Sequence, residues 1–99
     1  MVLEMAEIAV KEGMEAEFEA GVAKAAPLFR RAKGCRSMAL RRCVEAPARY
    51  RLFVEWETLE DHTVAFRASP DFQEWRNLVA HCFASPPAVE HWAPAVEGF

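Results

Sequence analysis

An α+β fold, an antiparallel four-stranded sheet with helices on one side, is predicted by three observations on this chain. The apolar residues change period along it in the order strand, helix, strand, strand, helix, strand. Helix-start signals at Thr58 and Ser69 follow a strand with almost no linker. Both parities of the predicted strands carry apolar side chains, which predicts a sheet covered on both faces. At 99 residues the expectation is a single domain spanning 1–99. A domain of that size buries only roughly two-thirds of its unfolded surface, so a partner subunit would help to stabilise it.

Val2 to Val10 reads as the first strand, closed by the turn Lys11-Glu12-Gly13. Met14 to Ala32 places Phe18, Val22, Ala25, Phe29 and Ala32 on one helical face. Glu15, Glu17 and Glu19 near its start and Arg30, Arg31 and Lys33 near its end match the helix dipole, and Gly34 suits a left-handed C′ position. Pro27 removes a hydrogen bond at a cost of about 3 kcal/mol in a straight helix, which predicts a kink or break near residues 23 to 27. Cys35 to Glu45 is the second strand, Ala46-Pro47-Ala48 the hairpin connection, and Arg49 to Glu57 the third strand, where Leu52, Val54 and Trp56 alternate with Arg51, Phe53 and Glu55.

Thr58-Leu-Glu-Asp61 has capping-box spacing and opens a helix at once. Ser69-Pro70-Asp71 opens another, with serine at the N-cap, proline at the first helical position and an acid facing the positive helix end. After the turn Ser85-Pro86-Pro87, the last strand is expected from Ala88 to Val96. The order β-α-β-β-α-(α)-β is the ferredoxin-like βαββαβ pattern. The apolar residues Leu3, Met5 and Ala9 lie on the parity opposite to Ala6, Ile8 and Val10, so the helices cover one face and an isologous second subunit is expected to cover the other. The strand arginines Arg36, Arg41, Arg42, Arg49 and Arg51 are expected to pair with Glu4, Glu7 and Glu55.

Charge and composition exclude several classes of function. Net charge is −3 with acids and bases interspersed, so the basic stripe of a nucleic-acid binder and the polybasic patch of a membrane binder are both missing. The apolar N-terminal run contains acids and has no basic lead, so it reads as a strand in a cytoplasmic protein and not as a signal peptide. Three cysteines agree with that compartment: Cys35 and Cys43 would lie about 26 Å apart along one strand at roughly 3.3 Å per residue, out of disulfide reach. No glycine-rich phosphate loop, CxxC, HExxH or G-x-S-x-G is present. His62, His81, His91, Asp61 and Cys82 match no metal-ligand spacing, so neither metal nor cofactor is expected.

An aromatic-rich region with a few polar groups remains. His62, Phe66 and Ser69 share one helical face, and Phe72, Trp75, Val79 and Cys82 form the matching stripe on the next helix. Such stripes are ordinary core, and Phe72, Val79 and Phe83 are read so. The functional reading is a pocket lined by Trp56, Phe66, Trp75 and Trp92 that takes a flat aromatic ligand. His62, in a first helical turn, has its imidazole held neutral by the positive dipole end, the form a general base needs; a bond to a nearby carbonyl is the plainer role. His81, near a helix C-terminus, is biased toward imidazolium as an anion partner, or acts as a cap. Arg67 and Arg76 are solvated charges or hold a phenolate or carboxylate. His91 and Trp92 point to opposite faces of the last strand, so only one of them lines a given pocket.

The order strand, W-x-T/S-x-E-x-H, helix, S-P-x-F/Y, helix resembles the antibiotic biosynthesis monooxygenase (ABM) domain family of the dimeric α/β-barrel superfamily. WETLEDHTVAFRASPDFQEWRNLVAHCF followed by VEHW is similar to a branch of it in which H-T-V-x-F-R and V-x-H-Y/W recur. The resemblance implies a homodimer whose two sheets close into a shared barrel. It also implies oxidation of a flat phenolic or quinol compound by molecular oxygen without metal or flavin, with His62 as the base and the aromatics as walls. A haem-cleaving branch uses an asparagine on the first strand and a tryptophan and a histidine on the helices; Ile8, Phe66 and Arg76 stand near those places here. Ala80 also replaces a histidine usual before His81. A non-catalytic dimer binding a hydrophobic metabolite is the alternative, since a fold does not fix its chemistry.

Overall fold

The computed structural model describes residues 1–99. Strands β1 (Val2–Ala9), β2 (Cys35–Arg42), β3 (Arg49–Trp56) and β4 (Ala88–Trp92) form one antiparallel sheet in the order β2-β3-β1-β4, with helices α1 (Glu15–Arg30) and α2 (Pro70–Val79) on one face. This is the ferredoxin-like α+β architecture. β1 and β3 pair along their full length from Val2–Trp56 to Ala9–Arg49, so the residues that alternate toward the helices on one strand meet their counterparts on the other. Ala6, Ile8 and Val10 from β1 and its extension, and Tyr50, Leu52, Val54 and Trp56 from β3, are buried against Phe18, Val22, Ala25 and Phe29 of α1.

α1 packs closely on α2 because Gly21 permits it: a Cβ there would stand 2.7 Å from the Leu78 carbonyl oxygen. The expected break near residues 23 to 27 does not occur. Pro27 lies in the last turn of a continuous helix, where the one carbonyl left without its amide is that of Ala23. Gly34 has the predicted left-handed conformation (φ 77°), and the side chain of Asp61 fills the space where its Cβ would be.

Two strands are shorter than expected. β2 stops at Arg42, leaving Val44 exposed in the turn. β4 stops at Trp92, and not at Val96; Leu3–Trp92 is the last pair it makes with β1. The face away from the helices carries Leu3, Met5, Phe53 and Trp92 with Glu7, Arg41, Arg49 and Arg51. Arg49 pairs with Glu7 at 3.1 Å, and Arg36 with Glu57. Glu55 accepts from the Ser37 hydroxyl at 2.7 Å. Glu4 pairs with none of the strand arginines, because its parity turns it toward the helices.

Between β3 and α2 the chain forms a short π-helical segment, Asp61–Phe66, and not the plain α-helix expected there. The Arg67 amide reaches back to the His62 carbonyl at 3.2 Å, an i→i+5 bond. Thr58 caps the helical turn that leads into this segment, its hydroxyl accepting the Asp61 amide at 3.1 Å. Ser69 accepts the Phe72 amide at the start of α2, with Pro70 at the first position.

Candidate functional site

The widened turn decides what the segment presents. π-Helical turns recur at functional sites because the extra residue re-aims side chains that an α-helix would space evenly. Here His62 and Phe66 both turn inward and are buried, with ring centroids 6.4 Å apart. A cavity of about 210 Å³ lies between the sheet and the helices. Its walls are aromatic, from Phe29, Phe66, Phe72 and Trp75, and its polar groups are Glu4, His62, Arg67 and Arg76.

Glu4, on the core face of β1, is the residue that sequence reasoning misplaced. It has the same parity as Ala6 and Ile8 and is only 5% exposed. Trp56 Nε1 donates to its Oε1 at 2.9 Å, and His62 Nε2 stands 3.4 Å from the same oxygen. The Trp56 indole lies almost flat on the His62 ring, with centroids 5.2 Å apart and planes 14° from parallel. The other ring nitrogen of His62, Nδ1, is 2.8 Å from Nε2 of His91. His91 is brought there because Glu4 and His91 are cross-strand partners on β1 and β4. Glu4, His62 and His91 therefore form a string and not a cage. The middle imidazole uses its two nitrogens in opposite directions, whereas a metal site built from two histidines and a carboxylate needs all donors facing one point.

Burial sets the ionisation of this string. It pushes the Glu4 carboxyl up to about 7, against the opposing pull of the Trp56 hydrogen bond and the Arg67 charge. It pushes His62 down to about 4, helped by the charges of Arg67 and His91. His91 is also lowered, by burial first and then Arg67. The neutral imidazole expected for His62 is thus found, but desolvation and not the helix terminus is its leading cause.

The other sequence-predicted site residues divide into two groups. Phe66, Trp75 and Arg67 line the cavity, and Trp56, fully buried, backs it through His62. Trp92 lies on the opposite sheet face from His91 and is 54% exposed, so it is no wall of this cavity. His81 is also elsewhere: it follows α2 and pairs with Glu17 of α1. Cys82 Sγ approaches the same Glu17 oxygen at 4.0 Å, and carboxylate, imidazole and sulfur lie within 4.8 Å of one another. Burial, together with Glu17, raises the Cys82 pKa, so that group presents a thiol, and the thiolate is the form that ligates metals.

With the geometry in place, comparison with known proteins assigns the chain. The family model described as antibiotic biosynthesis monooxygenase matches residues 1–78. The chain belongs to that family. It is 46% identical to the YczJ protein of Bacillus subtilis strain 168, itself uncharacterised, over 93% of this chain and 97% of that one. A crystal structure from Bordetella bronchiseptica bearing the same family name superposes with a TM-score of 0.94 at 57% identity, covering 96% of this chain and 97% of that one. SnoaB from Streptomyces nogalater, described as a cofactor-independent oxygenase and solved as a point mutant, shares the fold at a TM-score of 0.83 and 21% identity, over 98% and 95% of the two chains. No helix of this ABM protein is long and apolar enough to cross a membrane.

Proposed function

We propose that this ABM-family protein is a small oxygenase that oxidises a phenolic or quinoid aromatic with molecular oxygen, using no bound metal or flavin, as a cytoplasmic homodimer. The observation that carries this reading is the aromatic-walled cavity with a buried carboxylate–imidazole pair on its wall. Its volume of about 210 Å³ suits a single substituted ring, since an apolar cavity of about 150 Å³ accommodates benzene. Aromatic walls, tilted and edge-on to one another, hold a flat ring and exclude water, and the string supplies a place for the hydroxyl proton. Arg67 and Arg76 favour the anion that results.

The chemistry closes without an outside reductant. The phenolate adds oxygen at a ring carbon and the peroxide takes back a proton; loss of the hydrogen on that carbon as a proton then forms C=O while the O–O bond breaks, and the hydroxide released takes up a proton. One oxygen atom becomes a quinone carbonyl and the other leaves as water, with all four electrons supplied by the substrate. The family's usual two-fold assembly and the apolar residues Leu3, Phe53 and exposed Trp92 on the sheet face away from the helices support the homodimer, and three free cysteines suit a reducing compartment.

One observation favours a second reading, a non-catalytic module for a hydrophobic ligand: both ring nitrogens of His62 face protein partners, so it has no free nitrogen to act directly as a base. Oxygen uptake with a panel of single-ring quinols, run on metal-stripped protein, separates the two. The oxygenase consumes one oxygen per quinone formed; quenching of tryptophan fluorescence by the same quinols with no oxygen consumed identifies the binder.

A further inference from the structure

We propose that Glu4, and not His62, takes the substrate's hydroxyl proton, and that His62 and His91 form a relay carrying that proton between the buried carboxylate and the protein surface. The assignment of the substrate rests on the oxygenase reading; the relay itself does not. Three geometric facts support it. Glu4 lies on the wall of the cavity, within reach of a bound ring. His62 has one nitrogen toward Glu4 and the other toward His91, the arrangement of a through-ring conductor and not of a terminal base. His91, at the other end, is only half-buried, whereas Glu4 and His62 are closed off from water.

The proton path balances. In the outward-oriented state Glu4 is a carboxylate, His62 Nε2 is bare, and His62 Nδ1–H points at bare Nε2 of His91. Carboxylate and Nε2 are then both acceptors, standing 3.4 Å apart with no hydrogen between them. When the substrate O–H bond breaks, its proton forms a new O–H on Glu4, which becomes a donor to Nε2. Transfer of that proton to Nε2, with loss of Nδ1–H to Nε2 of His91, restores the carboxylate, leaves His62 in its other tautomer and makes His91 an imidazolium, which gives up its other ring proton to solvent. The reverse hop returns the proton when the peroxide O–O bond breaks and water forms.

The groups facing Glu4 set the balance of this path. They are the Trp56 indole from β3, His62 and Arg67 from the π-helical segment and its end, His91 from β4, Cys35 from β2, and Arg76 across the cavity from α2. Desolvation brings the carboxyl close to neutrality, where it both accepts and releases a proton with little driving force lost. Trp56 donates to Glu4 and stacks on His62, so its emission reports the proton on either one.

A photoacid pH jump on the whole protein, followed by tryptophan emission, tests the relay without any substrate. In the wild type the emission follows the jump, with a static midpoint near 7 that disappears in Glu4→Gln. His91→Gln keeps a hydrogen-bonding side chain but cannot pass the proton on. It should keep the midpoint and slow the response at least about tenfold, and added imidazole should restore the speed to His91→Ala. A midpoint that survives in Glu4→Gln, or an unslowed response in His91→Gln and His91→Ala, overturns the proposal. The two readings fail separately: an intact response in a protein that oxidises no quinol sinks the oxygenase, and quinol oxidation with an unslowed response sinks the relay. Circular dichroism of each variant confirms its fold, and Glu4→Asp replaces Glu4→Gln should the latter not fold: it retains a titrating transition with a shifted midpoint, and an unshifted one counts against Glu4.

Discussion

His62 beside Glu4 and His81 beside Glu17 are the same pair of functional groups set in opposite surroundings. The first pair is 4% and 6% exposed at its side chains, and the second 51% and 59%. Water decides the difference. Around the exposed pair it solvates both side chains, and any attraction gained is offset by the entropy of holding two mobile groups together. Around the buried pair it is missing, both charged forms become costly, and the carboxyl and the imidazole are each driven toward neutrality. A histidine and a glutamate make a surface ion pair or a proton-handling device according to which face of the fold they occupy.

Removing the carboxylate from each pair should give the largest contrast. Glu4→Leu leaves the Trp56 indole N–H buried without a partner, at about 1–3 kcal/mol, whereas Glu4→Gln keeps an acceptor for Trp56 and should cost less. Urea unfolding measures both. If Glu4→Leu is neutral or stabilising, water reaches the indole and the pair is not sealed as described.

The pH dependence of stability sharpens the contrast next. Glu4 is raised from 4.5 to about 7, so the native state binds more protons there than the unfolded chain, and its contribution declines as pH rises across that window. His62 is lowered from 6.5 to about 4, so the unfolded chain binds more protons and its contribution grows as pH rises from 4 to 6.5. The two slopes oppose each other where they overlap. Wild-type stability minus that of Glu4→Gln should therefore fall from pH 4.5 to 7 and level off above it. A difference that rises over that range would mean that Glu4 is held ionised.

The fold was legible in the sequence because it is written in repeated signals. Capping residues at Thr58 and Ser69, a helical stripe from Phe18 to Phe29 and alternation along β3 each appear several times over and agree with one another. The site was only half legible. Phe66, Trp75 and Arg67 reach the cavity from a stretch whose periodicity announces an inward face, although the π-turn itself leaves no periodic trace in six residues. Glu4 was read as an arginine partner because carboxylates usually pair on surfaces; the signal against this was its parity with Ala6 and Ile8. The meeting of His62 with His91, 29 positions along, depends on register between β1 and β4, which no local pattern encodes.

Thr58→Ala tests how firmly the buried pair is held. Its hydroxyl accepts the Asp61 amide at the start of the segment that carries His62, so its loss should cost about 0.5–2 kcal/mol. The emission transition near pH 7 should persist, since Glu4 stays on its strand. If that transition vanishes while stability holds, the cap positions His62 and does more than close a helix.

The smallest effect belongs to the exposed pair. Glu17→Ala, His81→Ala and the double variant should each lie within about 1 kcal/mol of the wild type, with a coupling energy of a few tenths at most. Salt should erase that coupling, because charges open to solvent are screened within roughly 10 Å at 0.1 M ionic strength and more tightly above it. The buried pair should hardly respond to salt, since ions cannot enter between Glu4 and His62. A double-mutant cycle in urea at low and high salt measures both couplings on one scale. If Glu17–His81 coupling proves large and salt-resistant, the nearby Cys82 sulfur and the α1 backbone must exclude solvent from it, and exposure would no longer account for the difference between two chemically identical pairs.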